Sequence, residues 1–116
     1  MNTNKRSRYL SAAVSAVLSF AAATAGAGPQ NGTVTSGAAT ISTPAANITP
    51  IDQATNSVSI DWQSFDVAAN EHVNFNQPSA SSVALNRILT QDPSQILGSI
   101  NANGRVFLLN QNGIIF

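Results

Sequence analysis

Residues 96–116 read ILGSINANGRVFLLNQNGIIF, and this stretch decides how the rest of the chain is read. Three apolar runs, at 96–100, 106–109 and 114–116, are separated by Asn101-Ala102-Asn103-Gly104 and by Asn110-Gln111-Asn112-Gly113. Short runs rich in Ile, Val, Leu and Phe, bounded by Asn and Gly, read as strands. Asn and Gly accept the left-handed backbone that a tight corner demands, so these strands are joined by corners rather than by long loops. The last run stops at Phe116 in mid-strand. On this reading Val106, Leu108, Ile114 and Phe116 include inward residues whose next layer is missing, and the expectation is a chain that is marginally stable alone.

The same pattern extends upstream. Val58, Ile60 and Trp62 alternate with Ser59 and Asp61, Phe65 and Val67 flank Asp66, and Val73 and Phe75 alternate with His72, Asn74 and Asn76. These are strands of three to five residues with one buried face, joined by segments such as AANEH and NQPSAS whose polar residues bond their own backbone or preset φ. Residues 28–50 are Gly, Ala, Thr, Ser and Asn with sparse apolars, which predicts short strands with little to bury. Residues 82–90, SVALNRILT, fit a strand or one helical turn equally. Asp92 at an N-cap, Pro93 at the first helical position and Gln95 three after the cap fit a short helical turn, and a type I turn fits as well. Recurring short strands and eleven asparagines in residues 28–116 fit a parallel β-helix, in which stacked Asn side chains form ladders and each coil leans on its neighbours. A two-sheet sandwich fits the periodicity equally well.

Residues 1–27 read differently. Lys5, Arg6 and Arg8 precede an apolar stretch from Tyr9 to Ala23, and Ala25-Gly26-Ala27 is a small-residue exit, together the pattern of a secretory signal peptide. The apolar stretch falls short of the roughly 20 residues a spanning helix needs. Ala23-Thr24-Ala25 is a second acceptable exit. Without residues 1–27 the chain has Arg87 and Arg105 against Asp52, Asp61, Asp66, Glu71 and Asp92, 2 − 5 = −3, and no lysine. That balance argues against nucleic acid as a partner, because phosphate affinity comes from clustered Lys and Arg. With no cysteine there is neither a disulfide staple nor a thiolate metal site.

Candidate sites are few. His72 is the lone histidine and has no second imidazole to complete a zinc site, so it reads as solvated, with no metal and no cofactor expected. The five acids are scattered and read as solvated rather than as paired catalytic carboxylates, with Arg87 and Asp92 as a surface ion pair. Trp62, Phe65, Phe75 and Phe107 read as core or cap packing.

Residues 58–116 resemble the N-terminal two-partner secretion domain of the filamentous haemagglutinin family. The likeness rests on Trp62, Phe65 and Val67, then Val73-Asn74-Phe75, then QPSASSVALNRI, then DPSQILGSINANGRVFLLNQNGIIF, all in order. It implies an all-β fold, a right-handed parallel β-helix of which residues 28–116 form the N-terminal cap and first coils. It also implies an exoprotein that uses the general secretory translocon, passes the periplasm, and is recognised by a POTRA-bearing outer-membrane β-barrel transporter for delivery to the cell surface or medium. The domain is then a secretion address of a haemagglutinin-like adhesin or related exoprotein and not an enzyme. A β-helix polysaccharide-degrading enzyme is the alternative, but such sites gather acids with Lys or Arg on one face, and residues 28–116 have no lysine and only two arginines. The resemblance marks Asn110, Gln111, Asn112, Gly113 and Ile114, with Asn76, Gln77 and Pro78, as candidates for partner recognition, although corner geometry alone also explains them. Gln111 stands where the family usually has proline.

Overall fold

A computed structural model describes residues 28–116; the signal peptide expected over residues 1–27 lies outside the described residues. Regular structure among these residues is all strand, with no helix. Three strands come first: β1 (Pro29–Gln30), β2 (Thr33–Ser36) and β3 (Ala39–Ile41). From Ile48 the chain repeats one three-step course. The first round is β4 (Ile48–Gln53), β5 (Ser57–Trp62) and β6 (Ser64–Phe65) with Val67. The second is β7 (His72–Asn76), β8 (Val83–Ile88) and β9 (Ser94–Gln95) with Ile96, and the third is β10 (Ser99–Ala102), β11 (Arg105–Leu109) and β12 (Ile114–Ile115).

Each strand lies parallel on the strand one round earlier. At the first step the order is β4–β7–β10, at the second β5–β8–β11, and at the third β12 pairs with β9 while Val67 bridges Ile96. Register turns the alternation of the sequence into columns. Ile51 sits beside Phe75 and Phe75 beside Ala102; Val58, Ala84 and Val106 form a second column, and Ile60, Asn86 and Leu108 a third. Slipping any strand by one residue would turn its buried set outward, so the register is strongly fixed. The core is Ile51, Val58, Ile60, Trp62, Phe65, Val67, Val73, Phe75, Ala84, Ile88 and Ile96, drawn from all three steps. Fully burying one of the larger of these side chains stabilises by roughly 1.5–3 kcal/mol. Trp62 and Phe65 meet edge to face at 5.4 Å across the corner between β5 and β6.

The first three strands run antiparallel and cover the first round at every step. β2 pairs with β5, β3 with β4 and β1 with β6, so each exposed edge of that round is paired. Sparse apolars suffice here because only one layer lies beneath: Val34, Ala39 and Ile41 are half-buried against the core. Among the described residues β10 and β11 carry a neighbour on one side only.

The structure decides two open alternatives and corrects several expectations. Residues 82–90 contain strand β8, and neither a helical turn nor the N-cap at Asp92 forms, because the backbone groups there are taken up by adjacent rounds: Ser94 N donates to Gly113 O and Gln95 N to Asp66 Oδ1. Residues 96–100 are not one strand, since the chain turns at Gly98 between Ile96 and β10. Phe107 is 53% exposed, because the alternation on β11 turns Val106 and Leu108 inward and Phe107 out; Phe116 is 84% exposed. Arg87 pairs with Asp61 of the preceding strand, Nε and Nη2 to the two carboxylate oxygens at 2.7 Å, and not with Asp92. The pair follows from the register, which places Arg87 beside Asp61. Hydrogen bonding to that carboxylate, then its charge, pushes the guanidinium pKa up. Glu71 is 5% exposed, not solvated.

Candidate functional site

Two corners carry the residues marked by the sequence. The later one joins β11 to β12. Gly113 N donates to Asn110 O at 3.0 Å, closing a four-residue turn, and Gly113 has φ +104°, a backbone region that side chains disfavour. Asn110 is nearly buried and holds the turn from within: its Oδ1 accepts from Asn112 N at 2.9 Å, the Asx arrangement that makes Asn a corner residue. Its Nδ2 reaches one round back, donating to Asp92 O at 3.1 Å and to buried Ser94 Oγ at 3.0 Å. Asn112 Nδ2 donates to Thr90 O at 2.9 Å. The corner therefore sits directly on the corner of the previous round. Gln111 and Asn112 are exposed and Ile114 is half-buried. Gln111 also borders a shallow groove with Arg87, Ile88, Leu89 and Leu109, and Leu89 and Leu109 are largely exposed.

The earlier corner follows β7. Asn76 is exposed and donates through Nδ2 to Asp52 Oδ1 at 2.7 Å, and Pro78 is exposed. Gln77 is nearly buried and joins three rounds. Its Nε2 donates to Gln53 Oε1 at 3.2 Å and to Arg105 O at 3.0 Å, and its Oε1 accepts from Gly104 N at 2.7 Å. Its backbone is clasped by Asn103, whose Oδ1 accepts from Gln77 N and whose Nδ2 donates to Gln77 O, both at 2.7 Å. The clasp requires glycine at 104, since a Cβ there would stand 2.8 Å from Gln77 Oε1 and from Ser79 O. Asn74, Asn76, Gln77, Asn101 and Asn103 line a shallow groove on this side, where Asn101 Nδ2 donates to Asn74 Oδ1 at 3.1 Å.

The two corners stand at different steps of the course and do not form one site. Within each, a nearly buried amide holds the stack from inside (Asn110, Gln77), exposed Asn112 and Asn76 bond the previous round from outside, and Gln111 and Pro78 face outward. Trp62, Phe65 and Phe75 are buried, with Trp62 Nε1 donating to buried Asn86 Oδ1 at 2.8 Å.

The polar residues that sequence reading missed are Gln53, Asn86, Ser82 and Ser94, all buried, together with Asn103. A signal existed for Gln53, which lies 24 residues before Gln77, one round at that step, whereas Asn86 lies beside Ile60 and reaches Trp62 diagonally. No group of three or more His, Cys, Asp or Glu that could hold a metal occurs among the described residues. His72 Nδ1 lies 2.5 Å from Ser99 Oγ, its neighbour one round on.

Comparison with known proteins gives a consistent result. The model of the TPS secretion domain matches residues 25–116. A heme/hemopexin-binding protein of Haemophilus influenzae strain ATCC 51907 / DSM 11121 / KW20 / Rd is 48% identical over 87 residues, 75% of this chain and 10% of that protein. Another heme/hemopexin-binding protein of Haemophilus influenzae is 40% identical over 87 residues, 75% of this chain and 9% of that protein. The crystal structure of the HMW1 secretion domain from Haemophilus influenzae superposes with a TM-score of 0.70 at 37% identity, covering 75% of this chain and 23% of that one. The chain thus spans about a tenth of the length of the curated relatives it matches.

Proposed function

The chain belongs to the TPS secretion domain family, and from that membership we propose that residues 28–116 are the cap and first coils of a right-handed parallel β-helix acting as the secretion address of an exoprotein. The observation that carries this reading is the extent of the match: it spans every strand of the structure, so the whole folded unit is what the family shares. In this reading the leader directs the chain through the general secretory translocon. A dedicated outer-membrane β-barrel transporter with periplasmic POTRA domains then recognises it and passes it to the cell surface or the medium.

The work is binding and ordering, not bond chemistry. Each acid but Asp92 is taken up by a neighbour: Asp52 by Asn76, Asp61 by Arg87, Asp66 by Gln95 N, and Glu71 by Gly28 N and Ala68 N. Strand addition to a sheet of the transporter is the natural mode of contact, with Gln111, Asn112, Asn76 and Pro78, all exposed, as side-chain contacts. Binding of the exported chain, folded and urea-unfolded, to the purified periplasmic domains of a transporter from the same genome tests the reading. Micromolar or tighter binding by at least one form is expected, and failure of both forms to bind overturns it.

A further inference from the structure

Glu71 is a buried carboxylate with no assigned task. It closes the turn between the first and second rounds, where Glu71 N donates to Ala68 O at 2.9 Å and Ser99 N donates to Glu71 O at 3.1 Å. Its side chain folds back so that Oε1 accepts from Ala68 N at 2.7 Å and, across the fold, from the backbone nitrogen of Gly28 at 3.0 Å. Oε2 faces the same glycine, 4.0 Å from where a Cβ on Gly28 would stand. A glutamine would serve the turn as well, since both partners are neutral N–H donors. A carboxylate 5% exposed is costly unless a cation faces it. Among the described residues the one side-chain ion pair is Arg87–Asp61, so no side chain supplies that cation.

The sequence supplies it from the backbone. Ala25-Gly26-Ala27 places small residues at the two positions a signal peptidase reads, and cleavage after Ala27 makes Gly28 the first residue. We infer that Ala27–Gly28 is the processing site and that the buried Glu71 carboxylate is the receiver for the α-ammonium group released there. In the hydrolysis, water adds across the Ala27–Gly28 peptide bond, Ala27 leaves on the leader as a carboxylate, and the Gly28 amine takes up a proton. Its ordinary pKa of about 7.7–8.0 keeps it largely cationic at neutral pH. The neutral N–H that now faces Glu71 then becomes a charge-assisted donor in a buried ion pair. The segment behind it is already tied down: Pro29 is buried, β1 pairs with β6, and Gln63 N donates to Gln30 O at 3.1 Å. Removal of the leader therefore completes the cap rather than merely shortening the chain.

The inference rests on export through the leader and not on recognition by the transporter. Its test exploits a feature of the sequence: residues 28–116 hold no lysine, so within that stretch the α-amine of Gly28 is the one amine. The full chain is exported from a Gram-negative host, its first residue is read by mass spectrometry, and its acylation by an amine-reactive acetate ester is timed in native buffer and in urea. The product is expected to begin at Gly28 and to react at least about tenfold more slowly when native, as a group accessible only through local opening does. Glu71→Gln, which keeps both hydrogen bonds but not the charge, is expected to bring the native rate toward the unfolded one. A different first residue, equal rates for native and unfolded wild type, or a folded Glu71→Gln chain as protected as wild type overturns the inference. If that variant does not fold, the wild-type rate ratio decides alone. An exported chain still carrying its leader overturns the export reading as well, whereas a freely reactive Gly28 amine overturns only the receiver.

Discussion

Asn110 and Gln111 are neighbours in one turn and carry opposite mutational predictions. Asn110 spends its whole amide inside the stack, closing its own turn and bonding Asp92 O and Ser94 Oγ one round back. Asn110→Ala leaves a buried serine hydroxyl and a carbonyl without that donor, and about 1–3 kcal/mol of unfolding free energy is expected to go, measured by urea titration. Gln111 is exposed at the second position of the turn, the position where a fixed φ near −65° suits the backbone. Gln111→Pro restricts the unfolded chain without removing a contact the fold uses, so a gain of a few tenths to about 1 kcal/mol is expected in the same titration. A loss would show that the backbone at 111 is not compatible with proline. Trp62 gives a third case, because its burial was legible from alternation but its partner was not. Trp62→Phe keeps much of the apolar bulk and orphans Asn86 Oδ1, so a cost of about 1–3 kcal/mol beyond the loss of volume is expected.

Among the elements, the corners after β7 and before β11 show why some of the fold was readable and some was not. Strand positions followed from alternation, since a strand with one buried face must alternate, and β5, β7 and β11 fall where Val58, Val73 and Val106 predicted. Phe107 was misread because composition marks an aromatic as core while only its parity on β11, out of step with Val106 and Leu108, says which way it points. Pairing was harder still. Parallel partners lie some 24 residues apart, with sequence between them that says nothing of register, and polar residues at that spacing looked like loop residues until the rounds were stacked. Gln77 is the clearest instance: it sits in what reads as a solvated corner yet bonds Gln53, Gly104 and Arg105 on both neighbouring rounds. Gln77→Ala leaves Gly104 N and Arg105 O without these partners, and a cost of about 1–3 kcal/mol for each group left unpaired is expected. Because both groups belong to the third round, limited proteolysis is expected to cut the variant near residues 103–105 before any site in β5 or β8.

Across the whole molecule, burial is graded along the stack, and that gradient sets how it opens. The apolar residues no more than 2% exposed, Ile51, Val58, Ile60, Trp62, Phe65, Val67, Val73, Phe75 and Ala84, all belong to the first two rounds, which have neighbours on both sides. In the third round Ile100, Val106, Leu108 and Ile114 face inward but are only partly buried, while Phe107, Leu109 and Ile115 face outward. Stability in a stacked fold is close to a sum of layer terms and nearest-neighbour interface terms, so a round with one interface opens at lower free energy than a round with two. The cap removes this difference at the other end, because β1, β2 and β3 give the first round its second set of neighbours. Native-state hydrogen exchange of residues 28–116 by themselves is therefore expected to show a one-directional order. Amides of β11 that bond β8 exchange first, those between β5 and β8 last, and those between β2 and β5 lie nearer the slow end than their small side chains alone would place them. A uniform exchange free energy across β2, β5, β8 and β11 would mean that the rounds unfold as one unit and that layer-by-layer opening is wrong.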